Sequence, residues 1–312
     1  MKHVFIGGSS GTQEIDSIRN VEKGETLWVD LTDPSREDIE PFLSILSIHQ
    51  IDVDRFFEKD RGRSRLIVHH NYISCTVYFI EGDLCDWKKT KIDLFFGSNF
   101  LVTLHNESIK QLDQIAHLLS SEKLLEHGHP DLVLYHLLNQ MLIPYMALTE
   151  DILKEVTKLN NQLDAKKNHY NKIRQIRQHA VKLAAVTGNE ERIMKLIGDQ
   201  YFPYTSEKNK AYFAALADQM AEVVDNMVEI RDSLNETIEA YTSLQSNNMN
   251  KVMKTLTVLS TIFLPGTLIA SIYGMNFHIP EYHWRFGYGY ALTLIILVSV
   301  GLYIYIHRRK WI

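Results

Sequence analysis

Apolar and polar positions change rhythm twice along this chain, and each change marks a different kind of structure. Up to about residue 125 the pattern is mixed. Thr26-Leu-Trp-Val-Asp-Leu-Thr32 reads as a strand closing on Asp33-Pro34-Ser35, a helix start with Glu37 and Asp38 in its first turn. Leu66–His70, Tyr72–Ile80, Lys91–Phe96 and Phe100–Leu104 are rich in β-branched and aromatic residues and read as further strands. Turns are expected at Glu81-Gly82-Asp83 and Gly97-Ser98-Asn99. The pattern predicts a compact α/β domain with a mixed sheet over residues 1–128. Gly7-Gly8-Ser9-Ser10-Gly11 lacks the following Lys and the helix in register that a phosphate loop needs, and reads as a turn.

From Asp131 the period becomes helical. Asp131 to about Lys166 and Tyr170 to about Ile197 form two long amphipathic segments, and Pro203 then interrupts the chain. After it Phe213, Met220, Met227, Leu234 and Tyr241 recur every seven residues, with Leu216, Val223, Ile230 and Leu244 between them. These four heptads, with Thr237 as one polar lapse, predict a helix of a coiled coil or bundle. No Pro or Gly lies between Pro203 and Pro265, so one helix is expected from Asn209 to Tyr273. At 1.5 Å per residue it would be about 95 Å long. A helix of that length is expected to need copies of itself to bury its core face. Residues 129–250 are thus a helical domain with a long stalk.

The second change is the loss of charge. Thr255–Ile272 and Phe286–Ile306 contain no charged residue. Eighteen residues span about 27 Å, close to a hydrocarbon core of ~30 Å. Residues 251–312 therefore read as a transmembrane domain with spans at about 255–273 and 286–306. Lys251 and Lys254 precede the first span, and Arg308, Arg309 and Lys310 follow the second. The short link offers only Arg285 against Glu281, so the positive-inside bias puts both termini in the cytoplasm. Tyr273, Phe277, Tyr282 and Trp284 flank the outer interface, and Trp311 the inner one.

Bulk composition hides this layout: 45% hydrophobic, 23% charged and net charge −5 resemble an ordinary soluble protein. Met1-Lys2-His3 leads into too short an apolar stretch for a signal peptide, so the first 250 or so residues are expected in the cytoplasm. Cys75 and Cys85 fit a reducing compartment and show no metal-site spacing. His69, His70, His127, His129 and Asp131 are the only raw material for an enzyme, and they lack an HExxH or His-Cys frame. No catalytic site, resident cofactor or nucleic-acid partner is expected.

Two helical stripes carry the candidate chemistry. Met253, Leu256, Ser260, Leu264, Thr267 and Ser271 fall within about 40° of one line on a 3.6-residue helix. Small hydroxyls alternating with apolar side chains also suit a packing face. The stripe, however, starts just after Asn248 and Asn250 and ends at Gly274-Met275-Asn276, and these polar, uncharged ends favour a pore lining. Pro265 and Gly266 would loosen the helix inside the bilayer, and Gly274 would allow a close approach or sharp turn at its end. Asp218, Glu222, Asp225, Glu229, Asp232, Glu236 and Glu239 form an acidic stripe on the other side of the stalk. It reads as a solvated face, or one paired with Lys158, Lys172, Arg174, Arg177 and Lys182 of the preceding helices, or as a field that concentrates cations.

Two C-terminal spans, Tyr-Gly-Met-Asn-Phe ending the first, Pro280-Glu281 in the link, Asn250-Lys-Val-Met-Lys-Thr-Leu256 and a basic-Trp tail resemble the CorA-type magnesium transporters. The resemblance implies a funnel-shaped homopentamer in the cell membrane, with the first span of each chain lining the axis and the second facing lipid. It implies that Gly274, Met275 and Asn276 form the outer selectivity ring, with Leu256 at an inner apolar gate. Lys251, Lys254, Arg308, Arg309 and Lys310 would form a basic collar at the cytoplasmic mouth. The conducted ion would be Mg²⁺, with Co²⁺ and Ni²⁺ as further cargo; a zinc carrier of the same architecture is the alternative. The family's regulatory Mg²⁺ between cytoplasmic domains implies Asp54, Glu58 and a stalk carboxylate as ligands. Here the chain departs: Ala214 and Ala215 follow Tyr212-Phe213 where that carboxylate is expected, and Asp218 lies one turn on.

Overall fold

The structure, a computed structural model, describes all residues except 1, 9–10, 16–21, 23, 59–61, 85, 122–129, 164–168, 200, 277 and 310–312. Cys85, His127, His129, Phe277, Lys310 and Trp311 thus lie outside the described residues. The chain divides into two compact units, one of residues 1–162 and 170–237 and one of residues 163–169 and 238–312.

In the first unit, strands β1 (Lys2–Gly8), β2 (Gly11–Glu14), β3 (Thr26–Thr32), β4 (Arg65–Val68), β5 (Tyr72–Gly82), β6 (Trp87–Gly97) and β7 (Phe100–His105) form one sheet. Its order is β2-β1-β3-β7-β6-β5-β4. Only β3 and β7 pair in parallel, with Val29 opposite Val102; the other pairings are antiparallel, so the sheet is mixed as expected. The β5–β6 hairpin turns where predicted. Gly82 has φ +113°, and a β-carbon there would lie 2.2 Å from the Asp86 carbonyl oxygen, so only glycine closes this hairpin.

Alternation along the strands sends Val4, Ile6, Leu27, Val29, Leu31, Phe95, Phe100, Val102 and Leu104 to one face. There they pack against Ile39, Phe42 and Leu46 of α1 (Arg36–Leu46) and Val53 and Phe56 of α2 (Gln50–Phe57). Helix α1 starts as its sequence indicates: Ser35 and Asp38 form a reciprocal capping box. On this side Asp52 is buried and bound on both oxygens. Arg55 Nη1 donates to it at 2.7 Å, Tyr72 Oη donates at 2.6 Å, and His69 Nε2 stands 2.8 Å away. Burial and the Asp52 charge raise the Tyr72 pKa.

Three helices follow: α3 (Lys110–Ser121), α4 (Asp131–Asn161) and α5 (Tyr170–Ile197). Helix α4 ends some five residues before the boundary expected from its pattern. Polar groups tie α4 and α5 to the sheet. Tyr145 Oη donates to the Tyr78 carbonyl at 3.0 Å, and Glu190 Oε1 accepts from the Tyr78 N–H at 3.0 Å and from Ser64 Oγ at 2.5 Å. Asp131 is buried and accepts from the Ser206 N–H and hydroxyl at 2.8 and 2.7 Å. Under β3 and β7, Thr103 and His105 both engage Asp30. Burial alone would lower the His105 pKa, but its hydrogen bond to Asp30 and that carboxylate's charge outweigh it, and the pKa is raised.

The longest helix, α6, runs Lys210–Tyr273 without interruption, through Pro265. Its heptad stripe corrects one expectation. Phe213, Leu216, Met220, Val223, Met227, Ile230 and Leu234 are all buried within the single chain. Tyr135 packs edge-on to Phe213 at 6.2 Å, and Thr149 Oγ1 donates to Met227 Sδ at 3.7 Å. The polar lapse is used as well: buried Thr237 donates to Asn160 of α4 and to the Ser233 carbonyl. This part of the stalk needs no copies of itself, because α4 and α5 supply its bundle.

In the second unit, α6 continues to Tyr273, a short 3-10 helix covers Pro280–His283, and α7 runs Gly287–Arg308. Among the described residues three helices are long and apolar enough to cross a membrane. Burial separates them: half of the most apolar window of α4 is buried in the fold, against 11% for α6 and 6% for α7. Helix α4 is a core helix, whereas the other two leave their apolar surface uncovered. Gly287 is needed where α7 begins, because a β-carbon there would lie 2.2 Å from the Glu281 carbonyl oxygen.

Glu190 yields a test of the first unit. Burial pushes its carboxyl up to about 8 from a usual 4.5, against the hydrogen bonds from Ser64 and Tyr78, and its Oε2 has no partner. Between those two values the folded chain holds a proton that the unfolded chain has released. Stability therefore falls as pH rises from about 4.5 to about 8 and levels off above. Thermal unfolding at pH 5.5 and 7.5 (roughly inside that window) should show a drop that Glu190→Gln removes; equal drops in both chains would contradict the assignment.

Candidate functional site

Helix α6 beyond Lys254 has two distinct sides. One side packs against α7. Val258 and Gly266 are buried, Ser299 Oγ donates to the Ile262 carbonyl at 3.5 Å, and a β-carbon on Gly266 would lie 3.2 Å from Ile295 Cγ2. Val258, Ile262, Pro265, Gly266 and Ile269 follow one another at helical spacing and define this seam.

The predicted stripe lies on the opposite side. At 100° per residue, Met253, Leu256, Ser260, Leu264, Thr267 and Ser271 centre roughly 170° from the seam. All six are exposed, Leu264 to 70% and Leu256 to 56%. Thr267 returns its hydroxyl to the Phe263 carbonyl at 3.0 Å. Packing against α7 thus accounts for the seam and not for the stripe.

At the lower end of the stripe Asn250, Lys251 and Lys254 are exposed on α6, and Arg308 and Arg309 are exposed at the end of α7. At the other end, the Gly274 N–H bonds to the Ala270 carbonyl at 3.0 Å and the Met275 N–H to Ile272 at 3.2 Å, so the helix ends on ordinary bonds. Gly274, Met275 and Asn276 are exposed. Gly274 is not in the left-handed region, and a β-carbon there would meet nothing closer than the Ala270 oxygen at 3.4 Å. The chain turns at Gly274 and bends at Met275 and Asn276, and nothing inside one chain demands glycine at this position.

The regulatory candidates are not gathered in one chain. Asp54 is half-buried and accepts from Arg36 at 2.6 Å and Gln50 at 3.3 Å, bonds that lower its pKa. Glu58 is exposed just past α2, and Asp218 is exposed on α6. Among the described residues no three His, Cys, Asp or Glu side chains come together at metal-binding distance. The acidic stripe of α6 is exposed throughout. Lys158 and Lys172 turn to Glu155 instead of to it. Of the histidines weighed for an enzyme, His69 sits against Asp52 and His70 is exposed.

Sequence reasoning missed the α7 seam and the Asp52 and Glu190 networks. The seam had a signal: the helical projection that isolates the hydroxyl stripe also puts Val258, Ile262 and Gly266 together on the far side. The carboxylates had none, since Asp52 and Glu190 look like any solvated acid until their helices dock.

The fold and the site define an α/β domain joined through a long helix to an apolar helical hairpin of membrane length. The chain belongs to the CorA-like Mg²⁺ transporter family, whose model matches residues 23–308; its members are membrane transporters and not enzymes. It is 24% identical over 318 residues to the cobalt/magnesium transport protein CorA of Thermotoga maritima, covering 96% of this chain and 88% of that protein. To the protein of the same name from Methanocaldococcus jannaschii it is 26% identical over 279 residues, covering 86% of each. Among solved structures it is similar to the complete CorA magnesium transporter of that organism, with a TM-score of 0.84 and 22% identity over 100% of this chain and 99% of the other. At that identity the likeness is one of fold.

The two sides of α6 make opposite predictions for single cysteines. In bilayers, cysteines at Ser260, Thr267 and Ser271 should react with a charged, membrane-impermeant thiol reagent, and cysteines at Val258, Ile262 and Ile269 should not. The labelling is done in a chain whose native Cys75 and Cys85 are replaced by serine. Equal labelling of both sets would contradict the division.

Proposed function

We propose that this chain is the subunit of a homopentameric channel that admits Mg²⁺, and with it Co²⁺, into the cell down the electrochemical gradient. The observation that carries this reading is the exposed, uncharged stripe of α6 opposite the α7 seam, ending at Gly274-Met275-Asn276. Family membership and the cobalt/magnesium transport named for its relatives support it.

The chemistry follows from the lining. Mg²⁺ gives up its water reluctantly and keeps several waters when bound. A ring of Asn276 side-chain carbonyls accepts hydrogen bonds from those waters without stripping them. Gly274, needing no glycine for its own backbone, leaves room beside the ring for neighbouring chains. No carboxylate lines the stripe, so the ion is never held tightly enough to stall. Leu256 and Leu264 close the path by dewetting when the helices draw together. With both termini in the cytoplasm, the acidic stripe of the stalk concentrates cations on the inner side. At ~2.3 kcal/mol per charge per 100 mV, a divalent ion gains about 4.6 kcal/mol on entering across that potential.

Zinc transport on the same architecture is the competing reading, disfavoured by the intact Met275-Asn276. Liposomes holding a Mg²⁺-sensitive dye separate the cases. Uptake should fall at least roughly tenfold in Asn276→Ala, as expected when a charge-assisted bond is lost at each subunit. Uptake equal to the parent's would defeat the pore assignment, and strong Zn²⁺ preference would favour the carrier.

Internal Mg²⁺ should close the channel through Asp218 and neighbouring carboxylates supplied by adjacent chains. Raising Mg²⁺ on the cytoplasmic side should then cut flux in the parent and less so in Asp218→Asn. Flux that ignores internal Mg²⁺ would remove this regulation.

A further inference from the structure

A groove of about 560 Å³ opens along one flank of the α6–α7 hairpin, between the exposed stripe and the seam, which it borders at Val258. Helix α7 contributes Leu302, Tyr305, Ile306 and Arg309, which recur at i, i+3, i+4 and i+7 and so form one face. Helix α6 contributes Thr257, Val258 and Thr261. The two threonine hydroxyls are occupied, donating to the Met253 and Thr257 carbonyls at 2.8 Å each, so they offer the groove no free donor. Its walls are therefore apolar for about 10 Å, the rise of seven helical residues. The single cation stands at one end: the Arg309 guanidinium, 5.7 Å from the centre of the Tyr305 ring.

Arg309 is exposed and has no carboxylate partner among the described residues. From Lys251 to Arg309 the only acidic side chain is Glu281, at the opposite end of the hairpin. A second copy of these helices laid in the groove would cover its walls and leave the guanidinium without a counter-charge. A soluble anion would answer the guanidinium and leave the apolar walls bare. An amphiphile with a phosphate head answers both.

We propose that this groove seats an anionic phospholipid, its phosphate on Arg309 and the upper part of one acyl chain along Thr257, Val258, Thr261, Leu302 and Ile306. Tyr305 borders the headgroup, where an aromatic ring with a polar tip suits the boundary between lipid and water. The proposal rests on reading α6 and α7 as membrane spans.

The test uses the full-length protein in neutral detergent and fluorescent phosphatidylglycerol, with phosphatidylcholine of the same chain length as control. Phosphatidylglycerol should bind more tightly. Arg309→Gln should weaken it by about fivefold, the effect of removing one basic contact to an anionic lipid. Leu302→Trp, which fills the groove and keeps the charge, should weaken both lipids. Equal binding of the two lipids, an unchanged Arg309→Gln, or release of the lipid by excess inorganic phosphate would overturn the proposal. Mg²⁺ uptake by the parent protein, measured alongside, tells the two failures apart. Lost lipid preference with uptake intact overturns this inference alone, whereas absent uptake counts against the channel.

Discussion

The rest of the structure depends on a helix surface that one chain cannot cover. Helix α6 carries an uncharged stretch of membrane length, and α7 takes only the seam through Val258, Ile262 and Gly266. Apolar area left in water costs roughly 25 cal/mol per Å². Exposed side chains such as Leu259, Phe263, Leu264, Leu268 and Ile272 make that cost untenable for a monomer in solution. Lipid meets the need on one flank. On the other, Ser260, Thr267 and Ser271 alternate with Met253, Leu256 and Leu264, and no helix of the same chain covers them. Of these sides only the seam finds its neighbour within the chain.

The first unit is held differently, by buried carboxylates that reach across to neighbouring segments. Asp52, Asp30, Asp131 and Glu190 each sit in the interior and each holds a helix or strand to its neighbour. Such bonds hold α5 against β5 and fix the α4–α5 pair that buries the heptads of α6. The Phe213–Leu234 part of α6 is thereby packed firmly into the first unit.

Much of this was legible in the chain. Strand cores, the Ser35 helix start and both uncharged spans appear where period, capping and charge put them, because these signals are local. The heptads were legible as a packing face, but not their partner. A seven-residue repeat says that Phe213 to Leu234 must be covered and is silent on whether α4, α5 or another chain covers them. Thr237 looked like a lapse because its acceptor, Asn160, lies 77 residues away. Glycines divided in the same way. The need for Gly287 arises from a carbonyl that only the folded loop brings near, while Gly274 has no such constraint within its own chain.

The central claim is that identical chains meet along the Ser260–Thr267–Ser271 side of α6, and oxidative cross-linking in native membranes tests it most directly. A single cysteine at Ser271, treated with a thiol oxidant, should join chains into covalent dimers, while a cysteine at the exposed Ile296 of α7 should not. Chains that stay monomeric at Ser271, or that join through Ile296 instead, would contradict the account.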